Sequence, residues 1–519
     1  MFHVPCSMKG MATFEMLIAM ALLVVFITSV LPLVSGGQSF SISSENDQTA
    51  LYKAKELLEN ARAASVADFT SVASIAPYPD SIYTKSLNVE DSPDGFTKKV
   101  WSRVSWNNGS QNLAVNLTTR LTNPLTGGGM CSPMLTGDWT NPQMTMYEFG
   151  TEILNDTSSG FPVTSIKIIG RKMYVTVDNN NGNNPGTFFI LDISNPSVKP
   201  ILLSPTLFDN SSVGAGLNAV AVDSGSYAYV ANAYGADYTT CTNPSGTNYE
   251  CGQLQVIDIM DSSSPSMEYS YKVTGVTGTS GQGIGTSIFY KDGIVYLGLS
   301  KATGPEFNII DVGAELGSPT NPVLRGTFEM GDGVNAIYVD GDYAYIATPD
   351  NNQELKIFNI SNPDNPTLVG SFNAPGGGAN SGNGKSISLI DDTLYLGRTL
   401  LNGNEFYILD NSNPEVPLPL LGFKNILDGD DGQPPAPNNT TVNGIIIRDY
   451  LGFLITNSEF QILRIDDPSN ITVYANPLIL PPGSGNIQGT SSDCLGNYIF
   501  LGSQGSNDKG YISVITSTP

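Results

Sequence analysis

The sequence predicts an α+β module, built from a long N-terminal helix and a small antiparallel sheet, followed by an all-β ring of seven blades. Three observations lead to this fold class. An uncharged apolar run from Met16 to Val34 passes into an amphipathic segment. The composition, with 54 Gly, 33 Pro and 14% charged residues, is typical of many turns and short strands. Beyond Val163, one pattern of strands and turns recurs about every fifty residues.

The first element is a short leader, residues 1–10, ahead of the apolar run. The run is long enough to cross a hydrocarbon core of ~30 Å as a helix, so residues 11–35 are predicted to form a membrane helix. Lys9 precedes it, which by the positive-inside rule places the N-terminus in the cytoplasm and the chain after Ser35 outside. The alternative is a secretory signal peptide cleaved beside the small residues VSGG. Both alternatives export the rest of the chain.

One carboxylate, Glu15, lies at the start of this apolar run, where an unpaired charge is costly and indicates a function. The stretch MKGMATFEMLIAMALLVV resembles the N-terminus of type IV pilins and pseudopilins, which carry prepilin leaders. The resemblance implies cleavage after Gly10, so that Met11 is the first mature residue and Glu15 the fifth. It also implies a helix-bending role for Pro32, which stands where that family often has proline.

In that family the subunits assemble through their apolar helices. The resemblance therefore implies that the new α-amine of Met11 pairs with Glu15 of a neighbouring subunit. It implies three partners: a prepilin peptidase, other pilin subunits through the N-terminal helix, and the inner membrane before assembly. The alternative is an ordinary membrane anchor in which Glu15 has no role.

Residues 36–124 are predicted to complete the pilin-like module. Leu51, Ala54, Leu58, Ala61 and Ser65 recur at three- and four-residue spacing, which predicts the exposed half of one long helix. The segments FTKKVWSRVSW and NLAVNLTTRLT alternate apolar and polar residues around the turn NNGSQ, which predicts a hairpin under that helix. The Gly- and Pro-rich residues 125–141 are predicted to be a linker.

Residues 142–519 repeat one plan: an apolar strand ending in Asp or Asn, a turn with Ser, Asn and Pro, and another strand. Examples are FFILDISNPSVKPILLS and LKIFNISNPDNPTLVGSF. With the strands upstream of each copy, every unit supplies about four strands, the content of one propeller blade. Six units are followed by a truncated seventh that lacks its outer strand. The segment QMTMYEFGTEIL, which begins at Gln143, can supply that strand. The LDISNP motif resembles the LVIVD-repeat propellers.

Four of the five cysteines follow the apolar run, which fits two disulfides in an oxidising compartment. Cys241 and Cys251 lie in one loop of the second blade and are predicted to pair there. Cys131 precedes the closing strand and Cys494 lies in the last blade, so a bridge between them is predicted to lock the ring. Four unpaired buried thiols are the alternative.

The sequence offers little catalytic chemistry. The only histidine, His3, lies in the leader, so a Ser/His/Asp triad or a histidine-ligated zinc is excluded from the mature chain. No cofactor is expected, with calcium as a weak candidate. Its possible ligands are Asp340 with Asp342 and Asp428 with Asp430, although Asp-Gly pairs also suit turns.

Two further patterns are assigned to structure. The strand-end residues Asp192, Asp258, Asp311 and Asp410 recur once per blade and are predicted to accept hydrogen bonds in turns. The run GGGANSGNGK, which ends at Lys385, lacks the context of a phosphate-binding loop and is interpreted as a connection between blades.

Acidic residues outnumber basic ones 48 to 24, a net charge of −24 that argues against nucleic acid as a partner. We expect a non-enzymatic minor or tip pilin that displays its propeller for adhesion or for binding an extracellular ligand. Before assembly it would be a single-pass inner-membrane protein with the C-terminal domain outside, and afterwards part of the cell surface or pilus. One alternative is a type II secretion pseudopilin that recognises cargo. The other is a membrane-tethered carbohydrate-active enzyme using a channel carboxylate.

Overall fold

The computed structural model describes residues 46–65, 69–91, 97–107, 111–122, 131, 135–156, 161–178, 187–204, 216–223, 225–233, 235–237, 241–242, 248–249, 251–279, 281–313, 321–375, 382–399, 404–426, 440–480, 488–505 and 509–518. The predicted leader and membrane helix, with Gly10, Met11, Glu15 and Pro32, lie outside these residues. Within the described ranges, no helix is both long enough and apolar enough to span a bilayer.

The chain divides into two compact units, Met1–Pro124 and Leu125–Pro519. The described part of the first unit has a helix at residues 46–65, a 3-10 turn at Phe69–Ser71 and one antiparallel sheet. The sheet has the order β1-β2-β3-β4, and its strands are β1 (Ile75–Asp80), β2 (Tyr83–Asp91), β3 (Thr97–Asn107) and β4 (Asn112–Thr122). The helix buries one face against this sheet, and its core residues include Ala54, Leu58, Val100 and Val104.

The predicted fold class is wrong for this unit. In the part of the chain that the structure describes, the fold is nearly all β, with 58% strand and 9% helix, and neither a long N-terminal helix nor a pilin-like α+β module is seen. The prediction inferred one long helix from two adjoining patterns, of which only the amphipathic one predicts a face that packs on a sheet. It also missed β1 and β2. The strand β1 contains two prolines, a residue type that within sheets is confined to edge strands, and so its sequence carried no strand signal. Leu51, assigned to the buried face, is 46% exposed.

In the second unit, the described residues form seven four-stranded antiparallel sheets, each one blade of a β-propeller, and the first six are simple meanders. Blade 1 contains β6 (Val163–Ile169), β7 (Lys172–Val177), β8 (Thr187–Asp192) and β9 (Ile201–Ser204). Blade 2 contains β10 (Leu217–Val222), β11 (Tyr227–Asn232), β14 (Leu254–Asp258) and β15 (Ser266–Tyr271). Blade 3 contains β16 (Gly285–Lys291), β17 (Ile294–Leu299), β18 (Phe307–Asp311) and β19 (Val323–Phe328).

Blade 4 contains β20 (Ala336–Asp340), β21 (Tyr343–Ala347), β22 (Leu355–Asn359) and β23 (Thr367–Phe372). Blade 5 contains β24 (Asn383–Ile390), β25 (Thr393–Thr399), β26 (Phe406–Asp410) and β27 (Leu420–Lys424). Blade 6 contains β28 (Gly444–Arg448), β29 (Leu451–Ile455), β30 (Glu459–Arg464) and β31 (Thr472–Ile479). A short ribbon of β12 (Cys241–Thr242) and β13 (Asn248–Tyr249) lies in the β11–β14 connection.

The seventh blade joins the two ends of this unit. It contains β32 (Gln488–Leu495), β33 (Tyr498–Gln504) and β34 (Gly510–Thr518), and its outermost strand is β5 (Asp138–Glu148) from the N-terminal side. The pairing runs from Tyr511 opposite Glu148 to Thr518 opposite Asp138. The closing strand therefore comes from the segment that the truncated last repeat indicated, and it begins inside residues 125–141, which were predicted to be linker.

The blade cores are shared between neighbours. One cluster joins Phe307, Ile309 and Val334 of blades 3 and 4, and another joins Phe500 of blade 7 to Val163 and Phe189 of blade 1. The third strands are buried on both faces, which explains why they read as continuous apolar runs rather than alternating ones.

The strand-end carboxylates terminate these runs. Asp192, Asp258, Asp311 and Asp410 each accept the backbone N–H two residues later, at 2.8, 2.9, 2.9 and 2.9 Å. This is the turn role predicted from their recurrence. Each side chain bonds a backbone donor at the point where the chain leaves the strand, which favours the turn over continued pairing.

Candidate functional site

The first strand of every blade lines one cavity at the centre of the propeller. Its volume is about 280 Å³, close to the ~300 Å³ at which ligand pockets begin. The lining comes from seven segments, one per blade, so that each blade contributes two or three consecutive residues.

Three consecutive positions of the first strands form three rings around the cavity. The first of these positions, here called the polar ring, comprises Thr164, Asn218, Thr286, Asn335, Lys385, Asn443 and Thr490. The next residue in each blade is small: Ser165, Ala219, Ser287, Ala336, Ser386, Gly444 and Ser491. The third position is largely apolar, with Val220, Ile288, Ile337, Ile387, Ile445 and Ser492.

A shift in strand register allows consecutive residues to line the same cavity. In five blades the pairing with the second strand skips one residue, and that residue belongs to the polar ring; examples are the shifts between Gly285 and Ser287 and between Gly384 and Ser386. A bulge of this kind re-aims a side chain that regular alternation would direct into the sheet-to-sheet core.

Most polar-ring side chains connect adjacent blades. Five of the seven side chains donate a hydrogen bond to a backbone carbonyl of the next blade, that of the residue just before the next ring member. The bonds are Thr164 to Leu217, Asn218 to Gly285 at 2.6 Å, Thr286 to Val334 at 2.6 Å, Asn335 to Gly384 at 2.7 Å and Thr490 to Val163 at 2.8 Å. The ring thus holds neighbouring blades together through buried backbone acceptors that need a donor.

Lys385 departs from this pattern. Its neighbour Ser386 donates to the carbonyl of Val442 at 2.7 Å, so the connection to blade 6 is made without the lysine. Among the described residues, Lys385 has neither a hydrogen bond nor an ion pair. The side chain is half-buried, and this burial lowers the pKa of its amine.

Lys167, on the first strand of blade 1, differs from Lys385 because it has an acidic partner. Its Nζ lies 3.1 Å from the Asp493 carboxylate, which also accepts the backbone N–H of Ile168 at 2.8 Å. In the described lining of the cavity there is no carboxylate, and Lys385 is its one charged residue. The cavity therefore presents one positive charge among neutral polar groups.

Three buried acidic side chains at this end of the blades are structural. Glu306, Glu354 and Glu405 directly precede the third strands of blades 3, 4 and 5 and are fully buried. They accept the backbone N–H of Met330, Ala374 and Ile426 at 2.9, 3.0 and 2.7 Å. Burial raises the pKa of Glu306 and of Glu354, and the positive charge of Arg398 partly offsets the rise for Glu354. Each carboxylate joins the end of its own blade to the start of the third strand.

The residues singled out from the sequence lie elsewhere. Asp340 and Asp342 flank Gly341 in the hairpin turn between β20 and β21, at the far end of β20 from the cavity. Nowhere in the described ranges do three or more potential metal-ligating side chains come together. Asp428 and Asp430 lie outside the described residues.

The cysteines belong to the framework. Cys131 and Cys494 form a disulfide with their Cα atoms 5.0 Å apart, beside the closing blade. Cys251 is disulfide-bonded as well, whereas the side chain of Cys241 lies outside the described part of the chain.

The sequence contained a signal for Lys385 that a motif search overlooks. When the first strands of the seven repeats are aligned, one position reads Thr, Asn, Thr, Asn, Lys, Asn, Thr. A single charged residue in a repeated position of neutral hydrogen-bonding residues departs from the structural role of that position. Interpreting the lysine only as part of a Gly-rich loop hid this departure.

Comparisons with known proteins support the fold. The LVIVD repeat model matches residues 163–205, 250–273 and 333–374, which lie in blades 1, 2 and 4. The chain thus contains LVIVD repeats, and its second unit is a seven-bladed β-propeller. Comparison with curated proteins gives no match.

Two solved structures are similar at low identity. Sqt1 of Saccharomyces cerevisiae is 8% identical, with a TM-score of 0.41 over 73% of this chain and 88% of that one. The AfRom2 CNH domain is 9% identical, with a TM-score of 0.35 over 71% of this chain and 98% of that one. Both TM-scores are too low for either likeness to bear on what this chain does.

Proposed function

We propose that this protein is a non-enzymatic binding protein, exported and displayed outside the cell, whose propeller holds a ligand in its central cavity. The observation that carries the proposal is the cavity itself, which has the size of a small ligand pocket and is lined by hydroxyl and amide groups around one lysine. A few polar groups converging on a preformed cavity are typical of small-molecule recognition.

Binding is favoured over glycoside cleavage by the chemistry of the lining. Glycosidases that use carboxylates place two of them on either side of the bond to be cleaved. The described lining has none, and the buried Glu306 and Glu354 already accept backbone hydrogen bonds. A membrane-tethered carbohydrate-active enzyme is therefore the weaker of the two hypotheses.

The N-terminal sequence supplies the means of export in this proposal. The spacing of Gly10, Met11 and Glu15 supports cleavage by a prepilin peptidase and assembly into a filament as a minor or tip subunit. A cargo-recognising subunit of a type II secretion system would use the same segment.

N-terminal sequencing of the native protein tests the assembly part. A start at Met11 is expected, and a start at Met1 would refute it. Replacing Glu15 with Ala should then block assembly while leaving export intact. Labelling of intact cells separates the two assembly forms, because a secretion-system subunit would stay inaccessible beneath the outer membrane.

A cavity-filling substitution tests the binding part. Lys385→Trp occupies the cavity at a ring position where Ser386, and not the ring side chain, connects the blades, so the fold should tolerate it. We expect cells carrying this variant to lose attachment to their native surface, measured against Lys301→Trp. Lys301 is exposed at the same end of the propeller and pairs with Asp332 at 3.0 Å. Equal attachment by both variants would refute a role for the cavity.

A further inference from the structure

We propose that the cavity recognises a carboxylate on a hydroxyl-rich ligand of about monosaccharide size, an acidic sugar, with Lys385 pairing with the carboxylate. This inference rests on the proposed binding function and specifies its ligand class.

The first argument is the isolation of Lys385. At five equivalent positions, Thr and Asn side chains of the polar ring connect blades, and Ser386 makes that connection in blade 5. A half-buried cation without a counter-charge is unfavourable for the empty protein, and sites that break a local rule in this way are expected to be functional. A ligand anion would supply the charge that Asp493 supplies to Lys167.

The second argument concerns the kind of anion. Phosphate and sulfate sites combine several cations, or use helix N-termini and clustered backbone N–H groups. The described lining comes from strands and offers one cation, which matches the single charge of a carboxylate. A metal cation would be repelled by Lys385 and would find no carboxylate in this lining.

The third argument concerns the groups around the carboxylate. Asn335, in the blade next to Lys385, uses one amide N–H to bond the carbonyl of Gly384, the residue just before the lysine. Asn218 is bonded in the same way to Gly285. Both amides keep a carbonyl oxygen and a second N–H that make no hydrogen bond to any described residue. Such a pair of groups can accept from and donate to a sugar hydroxyl.

The third of the three positions completes the site. The half-buried side chains Ile288, Ile387 and Ile445 lie there, two residues along the strands from the polar ring, whereas Val220 and Ile337 are buried in the cores between blades. Sugar rings carry C–H faces that pack on apolar side chains, whereas a fully hydrated inorganic ion gains nothing from them. One charge and several amides in the polar ring, with half-buried apolar side chains two residues along, therefore fit one face of an acidic sugar. Burial lowers the pKa of Lys385, and a bound carboxylate would raise it again.

Calorimetry on the full-length protein in detergent micelles tests the inference with glucuronate, galacturonate, glucose, glucose 6-sulfate and acetate. We expect at least one uronate to bind roughly tenfold to a hundredfold more tightly than glucose, the size of one charge-assisted hydrogen bond. Acetate should bind weakly because it lacks the hydroxyls. Lys385→Met should reduce uronate affinity to the level of glucose, and Lys385→Arg should retain part of it. Lys301→Met, the matched loss of an exposed lysine, should change nothing.

Free uronates and oligosaccharides that end in a uronate present the same carboxylate. Comparing their affinities distinguishes recognition of a chain end from recognition of the free acid. Failure of every uronate to bind the wild-type protein, preference for the sulfate, or equal uronate binding by Lys385→Met would overturn the inference. The proposed function fails separately. If Lys385→Trp abolishes surface attachment and Lys385→Met does not, the cavity binds a ligand that is not anionic. If neither variant alters attachment, both proposals are refuted.

Discussion

Lys385 costs the folded protein stability. Its pKa is lowered by burial, so the folded state binds its proton less well than the unfolded chain does. The cost is complete below the lowered pKa and disappears above the unfolded value of about 10.4.

Lys385→Met is therefore expected to raise the free energy of unfolding at neutral pH. The gain should shrink as pH rises toward 10 and vanish beyond it, measured by urea titrations at several pH values. Lys301→Met provides the control, because ion pairing with Asp332 raises the pKa of Lys301 and its replacement should bring no gain. A loss of stability in Lys385→Met at pH 7 would contradict the idea that the lysine is unpaired.

Arg398 shows the opposite situation, a buried cation with partners. It is 1% exposed, lies 2.6 Å from the fully buried Glu354 carboxylate, and its guanidinium stacks over Tyr407 at 5.4 Å. The pair links the second strand of blade 5 to the third strand of blade 4. Removing one member of a buried pair leaves the other charge uncompensated.

Arg398→Met should lower the free energy of unfolding by about 3–5 kcal/mol, measured by denaturant titration. Adding Glu354→Gln should recover part of the loss, because the uncompensated carboxylate is then removed. The exposed pair of Arg464 and Asp466 serves as the control, and Arg464→Met should have little effect since solvent screens that pair. Full additivity in the Arg398–Glu354 double variant would show that the two side chains do not interact.

At the scale of elements, the weakest point of the ring is the blade that joins its two ends. Trp139 of β5 packs on Phe453 of blade 6 with ring centroids 4.9 Å apart, and Lys509 pairs with Glu148 at 2.9 Å. The disulfide between Cys131 and Cys494 spans 363 residues of sequence. A covalent link across so long a loop restricts the unfolded chain.

Replacing both Cys131 and Cys494 with Ser should lower the free energy of unfolding by roughly 2–4 kcal/mol. Backbone amides of β5 should exchange with solvent faster, because this strand can then separate from β34 without unfolding the other blades. Hydrogen exchange followed by mass spectrometry measures this, with β22 of blade 4 as the internal reference. Equal acceleration in β22 would indicate global destabilisation instead of local opening.

The elements also show why one prediction failed. The helix at residues 46–65 follows from its periodic apolar positions, but its buried face includes Ala50 and Leu57 rather than Leu51. Spacing defines an apolar stripe only to within one residue, and the position of the sheet selects the face. The strand β1 lacked a signal because its sequence, IAPYPD, reads as a turn.

At the scale of the whole molecule, the net charge of −24 opposes the approach of any anion. We expect the association rate constant of a uronate to rise several-fold as ionic strength increases from roughly 0.01 to 0.15 M, because salt screens this long-range repulsion. Stopped-flow measurements test this, with glucose as the uncharged control. A rate constant that falls with salt would mean that the local field of Lys385 dominates the approach.

The sequence by itself determined the repeating part of this protein. Continuous apolar runs ended by Asp or Asn specify buried strands and their turns, since burial and local hydrogen bonding act within a few residues. The truncated last repeat even indicated where the closing strand comes from.

Only the tertiary structure decided the rest. The cavity exists because seven first strands meet around one axis, and the isolation of Lys385 depends on which side chains lie across that space, at sequence separations of tens to hundreds of residues. The same holds for the pairing of Lys167 with Asp493, 3.1 Å apart. A local pattern predicts what each residue does to its own strand, whereas a binding site is defined by the distances between strands, which the packing of the blades sets.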